Sequence, residues 1–528
     1  MILNFWNSRE VHNADKDIDE YISSSFYYLR MIFGKFTMNL ITLLIKLIKI
    51  TLPTFHMRKI ISLSILLVAF MLTNSLSAQN KSNRNSLPGA WLGKISTNGI
   101  ELRMVFNLKL NDKDSLIATL DSPDQGAKNI PLGSVLLDDK KLTIKAPMLM
   151  GEYKGSITGD STIDGTWTQR GAAYTVNLKK LKAVFTVKRP QEPKPPFPYT
   201  SENVTFINDK FNIKLAGTLT IPSGTGPFKA AIMITGSGAQ NRNEELMGHK
   251  PFLVIADFLS RNGIAVLRFD DRGVGGSQGN YSEATSEDLA TDAEAAFNYL
   301  KNNPKINQKE IGFIGHSEGG LIAPIVASSH PDVGFIVSLA GPGVTGQQII
   351  LRQTQDISRL SGVKENEIKE STETNKRLYA VLRKEKDNKK AEIKILALYK
   401  EILEKKKTSK EDTEKAVNQL KMTFGSNIYT WFRYFIITDP SVFWKKVECP
   451  VLALNGEKDL QVSAKENLPA IEKALRSSGN KSVKTVKLPE LNHLFQHCNT
   501  GLPSEYSSIE ETFSPGALKI IADWILAL

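Results

Sequence analysis

Two rhythms of apolar and polar positions divide the chain. Between residues 87 and 186 they alternate in short runs, at 101–108, 115–120, 141–144 and 174–178, with turn pairs such as Asn111-Asp112 and Gly159-Asp160 between them. Period-two alternation broken by turns predicts an antiparallel β domain with one buried face, in which Trp91 and Trp167 act as core anchors. After a hairpin expected around Asn208-Asp209 the rhythm changes. Continuous apolar runs at Ala230–Ile234, Ile264–Phe269, Ile311–Ile314, Phe335–Leu339 and Val451–Leu454 are separated by helical lengths. Strands without alternation are buried on both faces, so 200–528 is expected to be an α/β domain with a mostly parallel sheet and helices on either side.

Two stretches interrupt that plan. Five prolines lie between 190 and 198, which predicts an extended, semi-rigid spacer at 187–199 joining the two domains. From 345 to 438 the strand pattern stops and a Lys/Glu-rich helical region intervenes, with Ile393, Ile395, Leu396, Tyr399, Ile402 and Leu403 at helical spacing. It is expected to be a helical cap inserted in the α/β domain.

The N-terminus carries an address. Met57-Arg58-Lys59, an apolar run from Ile60 to Leu72 and small residues ending at Ser77-Ala78 follow the order of a secretory signal peptide, so 57–78 is expected to be removed and the product to be periplasmic or secreted. The run is too short to span a bilayer, and no stable membrane insertion is expected after removal. Residues 1–56 stand upstream of a signal that should itself be N-terminal, and are expected to lie outside the native product, with translation starting at Met57. N-terminal sequencing of protein recovered from the periplasm should begin close to Gln79; a product retaining 1–56 would refute this.

Composition narrows the chemistry. Of 528 residues 41% are hydrophobic and 23% charged, which suits packed soluble domains and excludes both global disorder and a polytopic membrane protein. The net charge of +12 raises the question of nucleic acid, but residues 351–438 alone hold 20 Lys/Arg against 13 Asp/Glu, interleaved as on a solvated helix face. No nucleic-acid partner is expected. Two cysteines, Cys449 and Cys498, rule out a disulfide framework or a four-cysteine zinc site, and no bond between them is expected.

The chemistry gathers at strand ends. Gly315-His316-Ser317-Glu318-Gly319 follows the strand Ile311–Ile314 and precedes an apolar helix near Leu321, the setting in which a Gly-x-Ser-x-Gly turn presents its serine at the carboxyl edge of a sheet. A serine hydroxyl attacks only when a base takes its proton and an acid orients that base. Downstream, the strand Val451–Leu454 exits into Asn455-Gly456-Glu457-Lys458-Asp459, and the strand Val483–Leu488 exits into Pro489-Glu490-Leu491-Asn492-His493. The order Ser317, Asp459, His493 is the nucleophile–acid–base order of such a site, with Glu457 the competing acid. Oxyanion donors are expected from the N–H of Glu318 and of Ser237, in the glycine-flanked loop after Ala230–Ile234. His316 is expected to fix packing or loops rather than react, and an Asp–Arg pair at Asp270-Asp271-Arg272 to brace loops. His493 and His497 lack the glutamate of a His-Glu-x-x-His zinc site.

With Gly236-Ser237-Gly238-Ala239-Gln240, Arg268-Phe269-Asp270-Asp271-Arg272-Gly273, Gly315-His316-Ser317-Glu318-Gly319, Gly456-Glu457-Lys458-Asp459 and Leu491-Asn492-His493-Leu494-Phe495-Gln496, the chain from about 200 to 528 resembles the α/β-hydrolase superfamily. Within it the resemblance is to the exported bacterial esterases and serine aminopeptidase-like hydrolases, which often carry an N-terminal module like this β domain, including Ser122-Pro123-Asp124-Gln125-Gly126. Thr235 departs from it, since many relatives have His before the glycine. The resemblance implies hydrolysis of a small-molecule carboxylic ester through an acyl-enzyme, with no cofactor. Cleavage of short peptides by the same residues is the alternative, and a non-catalytic binding protein that keeps the fold is a third class.

Overall fold

The computed structural model describes residues 85–97, 100–123, 127–169, 171–182, 188–423 and 428–528; the expected signal peptide and upstream extension lie outside them. The described residues fall into two compact units, one comprising 85–88 and 137–141 and the other Gly89–Leu136 and Leu142–Leu528. The second carries every residue discussed below.

Its N-terminal part is a sheet running in space Ala127–Pro131, Leu116–Ser122, Ile100–Leu110, Gly89–Thr97, Leu178–Lys180, Thr162–Gln169 and Gly151–Gly159, every one of these pairings antiparallel. Trp91, Phe106, Tyr153 and Trp167 are buried on it, and Phe106 meets the Trp167 ring edge-on at 5.9 Å.

The second sheet has eight strands in the order Tyr199–Asn208, Ile213–Pro222, Ala265–Phe269, Phe228–Ile234, Ile306–His316, Phe335–Leu339, Val451–Gly456 and Val483–Leu488. The first two form an antiparallel hairpin that pairs antiparallel onto Ala265–Phe269, and the remaining pairings are parallel. Successive side chains of a strand feed opposite faces. Thus Ala230, Ile232 and Ile234 join one core with Phe313, Leu321 and Phe297, while Ala231 and Met233 join the other with Ile314, Leu454 and Ile521. Helices Ser286–Lys301, Gly319–Ala327 and Ala464–Ser477 cover the first face, and Pro251–Arg261 and Pro515–Leu526 the second. Thr285 and Asp288 close a reciprocal capping box at the start of Ser286–Lys301, satisfying N–H groups that a helix terminus otherwise leaves free.

Between Phe335–Leu339 and Val451–Gly456 the chain forms helices Gly346–Leu360, Glu365–Lys384, Asn388–Lys405, Lys410–Thr423 and Ile428–Ile437, four of which contribute to a small core of their own including Leu351, Leu382, Ile395 and Ile436. Of the stripe expected on Asn388–Lys405, Ile395 and Ile402 are buried and Leu396, Tyr399 and Leu403 half-buried, whereas Ile393 is 67% exposed. Cys449 and Cys498 are free thiols. Among the described residues no helix is long and apolar enough to cross a membrane.

The described part of the proline-rich stretch is bonded along the α/β domain. Arg189, Gln191 and Glu192 each bond to the α/β domain, Glu192 through Lys250 at 3.2 Å. Composition reports that a segment is extended, not what it lies against.

Candidate active site

Strand Ile306–His316 ends at Ser317, whose φ of +52° lies in the left-handed region, and helix Gly319–Ala327 follows at once. The flanking glycines are steric requirements. A Cβ on Gly315 would stand 2.1 Å from the Gly319 carbonyl oxygen, and one on Gly319 would stand 2.2 Å from that of Ile234. Ser317 is anchored by its N–H to the Leu339 carbonyl at 2.8 Å, and its side chain is half-buried.

Asp459 and His493 come together from two neighbouring strand ends. His493 Nδ1 is 2.8 Å from Asp459 Oδ2, while Asp459 Oδ1 accepts the Gln461 and Val462 N–H groups at 2.8 and 2.9 Å. The second oxygen is thereby fully engaged, so the carboxylate cannot swing away from the imidazole. Asn492 frames the His493 turn: its Oδ1 accepts the N–H groups of Leu494 and Gln496 at 2.9 and 3.0 Å, and its Nδ2 donates to Gln496 Oε1 at 3.0 Å. The competing acid, Glu457, is exposed and pairs with Lys487 at 2.7 Å.

The loop after Phe228–Ile234 lies against the serine, since a Cβ on Gly236 would stand 3.1 Å from Ser317 Cβ. Carboxylates and a phenol hold that loop. Gly236 N–H donates to Glu244 Oε1 at 2.7 Å, Gly238 N–H to the Tyr281 hydroxyl at 2.8 Å, and Gln240 N–H to Asp271 Oδ2 at 2.8 Å. Among the described residues the intervening Ser237 N–H and the Glu318 N–H are not taken up by a hydrogen bond. Thr235 donates its hydroxyl to Asp271 Oδ1 at 2.7 Å, which is what this residue contributes where relatives carry His.

Asp270 and Arg272 brace loops, but not by pairing with each other. Arg242 grips Asp270 with two bonds of 3.0 and 2.6 Å, and Arg272 grips Asp292 with two of 2.7 and 3.0 Å, the bidentate geometry a guanidinium favours. His316 is buried and bridges the site, with Nδ1 2.9 Å from Glu244 Oε1 and Nε2 3.0 Å from the His493 carbonyl oxygen. Burial opposes its protonation, but the charge and hydrogen bond of Glu244 outweigh that and raise its pKa. His497, by contrast, is exposed and pairs with Glu511.

Glu318 entered the sequence argument only through its N–H. Its side chain is buried, and Oε1 accepts from Ser286 Oγ at 2.5 Å and from Trp431 Nε1, on helix Ile428–Ile437, at 2.8 Å. Burial raises its pKa, partly offset by Ser286, Trp431 and the nearby Ser237 hydroxyl, although no hydrogen bond closes onto Oε2. Glu244, Tyr281 and Trp431 escaped sequence reasoning, and no local motif marks them.

Asp271 sets a pH dependence. Burial, with the charges of Glu244 and Glu318 adding to it, pushes its carboxyl up to about 8 against the lowering bonds from Thr235 and Gln240. A carboxyl that holds its proton longer folded than unfolded contributes stability at low pH that is lost as pH rises through the folded value. Melting temperature is therefore expected to fall between pH 6 and 9 more steeply in the wild type than in Asp271→Asn. Parallel curves would refute the assignment.

A serine held at positive φ on a strand-to-helix turn and an imidazole locked to a buried aspartate on adjoining strand ends, on a mostly parallel sheet, are the arrangement of an α/β-hydrolase-type fold. A family model described as BAAT / acyl-CoA thioester hydrolase C-terminal matches residues 293–403. Esterase EstD of Thermotoga maritima is 25% identical over 283 residues, 53% of this chain and 58% of that protein. An uncharacterised protein of Rickettsia prowazekii, RP471, is 37% identical over 82 residues, 15% of this chain and 33% of its own length. The chain thus spans less than two thirds of either relative. Among solved structures, the Pyrococcus furiosus esterase Pf2001 aligns at 16% identity and a TM-score of 0.38, over 65% of this chain and 99% of that one. Est1E of Butyrivibrio proteoclasticus, solved with ferulic acid bound, aligns at 18% and 0.36, over 62% and 100%.

Proposed function

We propose that this protein is a serine hydrolase that cleaves carboxylic esters of short acyl chains through an acyl-enzyme. The observation that carries the reading is the 2.8 Å bond from His493 Nδ1 to Asp459, which leaves Nε2 as the basic face of the ring. Ser317 Oγ attacks the ester carbonyl carbon as His493 takes its proton. The negative charge that develops on the carbonyl oxygen is received by the N–H groups of Ser237 and Glu318 and by the positive end of helix Gly319–Ala327. Collapse breaks the carbon–oxygen bond, and the imidazolium returns the proton to the departing alcohol. Water, deprotonated by the same imidazole, then releases the acid and restores Ser317. Asp459 keeps the ring in the correct tautomer throughout. The name of the Thermotoga relative supports the ester class.

Thioesters are a second reading, favoured by the matching family model. The net positive charge of residues 351–438 would suit a phosphorylated acyl carrier as well as a neutral ester. Peptides fit less well, because an amide needs a poor amine protonated and a positively charged surface offers no counter-charge to a free peptide amine. We expect kcat/KM for ethyl butyrate to exceed that for alanyl and prolyl anilides at one pH and salt concentration, with p-nitrophenyl butyrate faster than both because its leaving group is activated. Faster anilide cleavage would overturn the esterase reading in favour of a peptidase, and faster turnover of butyryl-CoA than of ethyl butyrate would move it to thioesters.

A further inference from the structure

The segment 503–514 closes over the His493 turn. Ser514 N–H donates to the Phe495 carbonyl at 2.8 Å, Glu511 Oε2 accepts from both the backbone N–H and Nδ1 of His497 at 2.7 and 2.8 Å, and Phe513 stacks on Phe495 at 5.1 Å. Buried Tyr506 reaches the loop of the acid as well. Its hydroxyl takes the Gln461 side-chain amide at 3.2 Å, two residues from Asp459, and lies against the main chain of His493. The segment has no regular structure beyond the turn Pro503–Ser508, so something other than a helix or sheet must hold it.

What holds it is the stretch that follows the β domain. Besides its neighbour Lys188, the Arg189 guanidinium donates to four main-chain carbonyls of the α/β domain: Ile509 at 2.6 Å and Ser507 at 3.1 Å within the segment, and Gly248 and Met247 at 3.0 and 3.1 Å on the loop that carries His249. Gln191 donates to the Phe513 carbonyl at 2.6 Å and accepts the Thr512 and Phe513 N–H groups at 2.6 and 3.1 Å. The β domain adds Arg103, from strand Ile100–Leu110, on Ser507 Oγ at 3.1 Å. His249 completes the frame, its ring lying 2.8 Å from the Tyr506 carbonyl oxygen and 3.0 Å from Thr512 Oγ1. Two linker side chains thus bond seven backbone groups of two loops, and both loops bear on the His493 turn.

We propose that Arg189 and Gln191 are positioning residues that fix, through the segment 503–514, where His493 and Asp459 stand, so that the stretch after the β domain governs turnover in the α/β domain. The proposal rests on the reading of Ser317, Asp459 and His493 as the reacting set. Only the Arg fork spans four carbonyls; a lysine ammonium is a point charge and does not replace it. The brace grips the segment that closes over the turn of the base and, at Met247 and Gly248, only the far end of the loop that begins at Gly236-Ser237, so its loss should fall mainly on the chemical step and little on binding. A displacement of the imidazole by about 1 Å is enough for a loss of up to about 100-fold.

The test uses the full chain with Arg189→Ala, Arg189→Lys and Gln191→Ala, measuring kcat and KM for ethyl butyrate per active site titrated with a fluorophosphonate, together with the downfield proton resonance of the His493–Asp459 bond. Expected are a kcat per titrated site lower by about 10- to 100-fold, a KM within about twofold, little rescue by lysine and a broadened or shifted resonance. Tyr506→Phe, which keeps the segment and loses only the hydroxyl contacts, should move the same readouts if an Arg189 variant does not fold. A kcat per site within twofold of wild type, or an unchanged resonance, overturns the brace. A wild type without turnover whose resonance is nevertheless lost in Arg189→Ala would leave the brace standing and sink the ester reading instead.

Discussion

Replacing Ser317 by alanine is expected to abolish covalent labelling by a fluorophosphonate and to remove essentially all ester turnover. No other hydroxyl stands at the end of strand Ile306–His316 in a turn of this strain, beside the N–H groups of Ser237 and Glu318. Alanine occupies the same backbone angles without the reacting oxygen, so the protein should remain folded. His493→Ala should lower turnover by about 10⁴–10⁶-fold, since a serine hydroxyl without its base is nearly inert while the oxyanion donors and binding surface stay in place. Persistent labelling in Ser317→Ala, measured by intact mass, would put the nucleophile elsewhere.

Asp459→Asn should be almost as damaging, at about 10⁴-fold in turnover. Its Oδ1 accepts two backbone N–H groups, so an asparagine there keeps its oxygen on Gln461 and Val462 and turns its amide toward His493 Nδ1. A donor facing Nδ1 forces the proton onto Nε2, the atom that must accept from serine. Glu457→Gln, which only loses an exposed pair with Lys487, should leave turnover within about twofold, as surface ion pairs contribute little. If Glu457→Gln gives the greater loss, the acid is the other residue.

The residues proposed to react are legible in the sequence because they are local or ordered by topology. The serine turn is a contiguous pattern between a strand and a helix, and Asp459 and His493 stand a few residues beyond two apolar runs. Their supports are not legible. Glu244 lies 72 residues from His316 and Trp431 lies 113 from Glu318, and nothing in the neighbourhood of either marks a partner. In the β domain, strands Gly151–Gly159 and Thr162–Gln169 are hidden for a different reason. Gly155 and Gly165 face each other across the pair, and the Tyr153 ring fills the space their side chains would take, so glycine interrupts the alternation that would reveal the strands. Proline content likewise marks the stretch 187–199 as extended and conceals that Arg189 and Gln191 are bonded along it.

The positive φ at Ser317 carries a consequence for the history of this chain. A side chain held in the left-handed region costs on the order of 1–3 kcal/mol that glycine at the same position would not incur. The residue most comfortable there is thus one that cannot attack a carbonyl. With Ser317 as the proposed nucleophile, selection for a hardier fold alone would push this codon toward glycine, and only use of the serine's chemistry would oppose that. A lineage without need of the reaction would have an easy first step toward a sturdier, inert descendant.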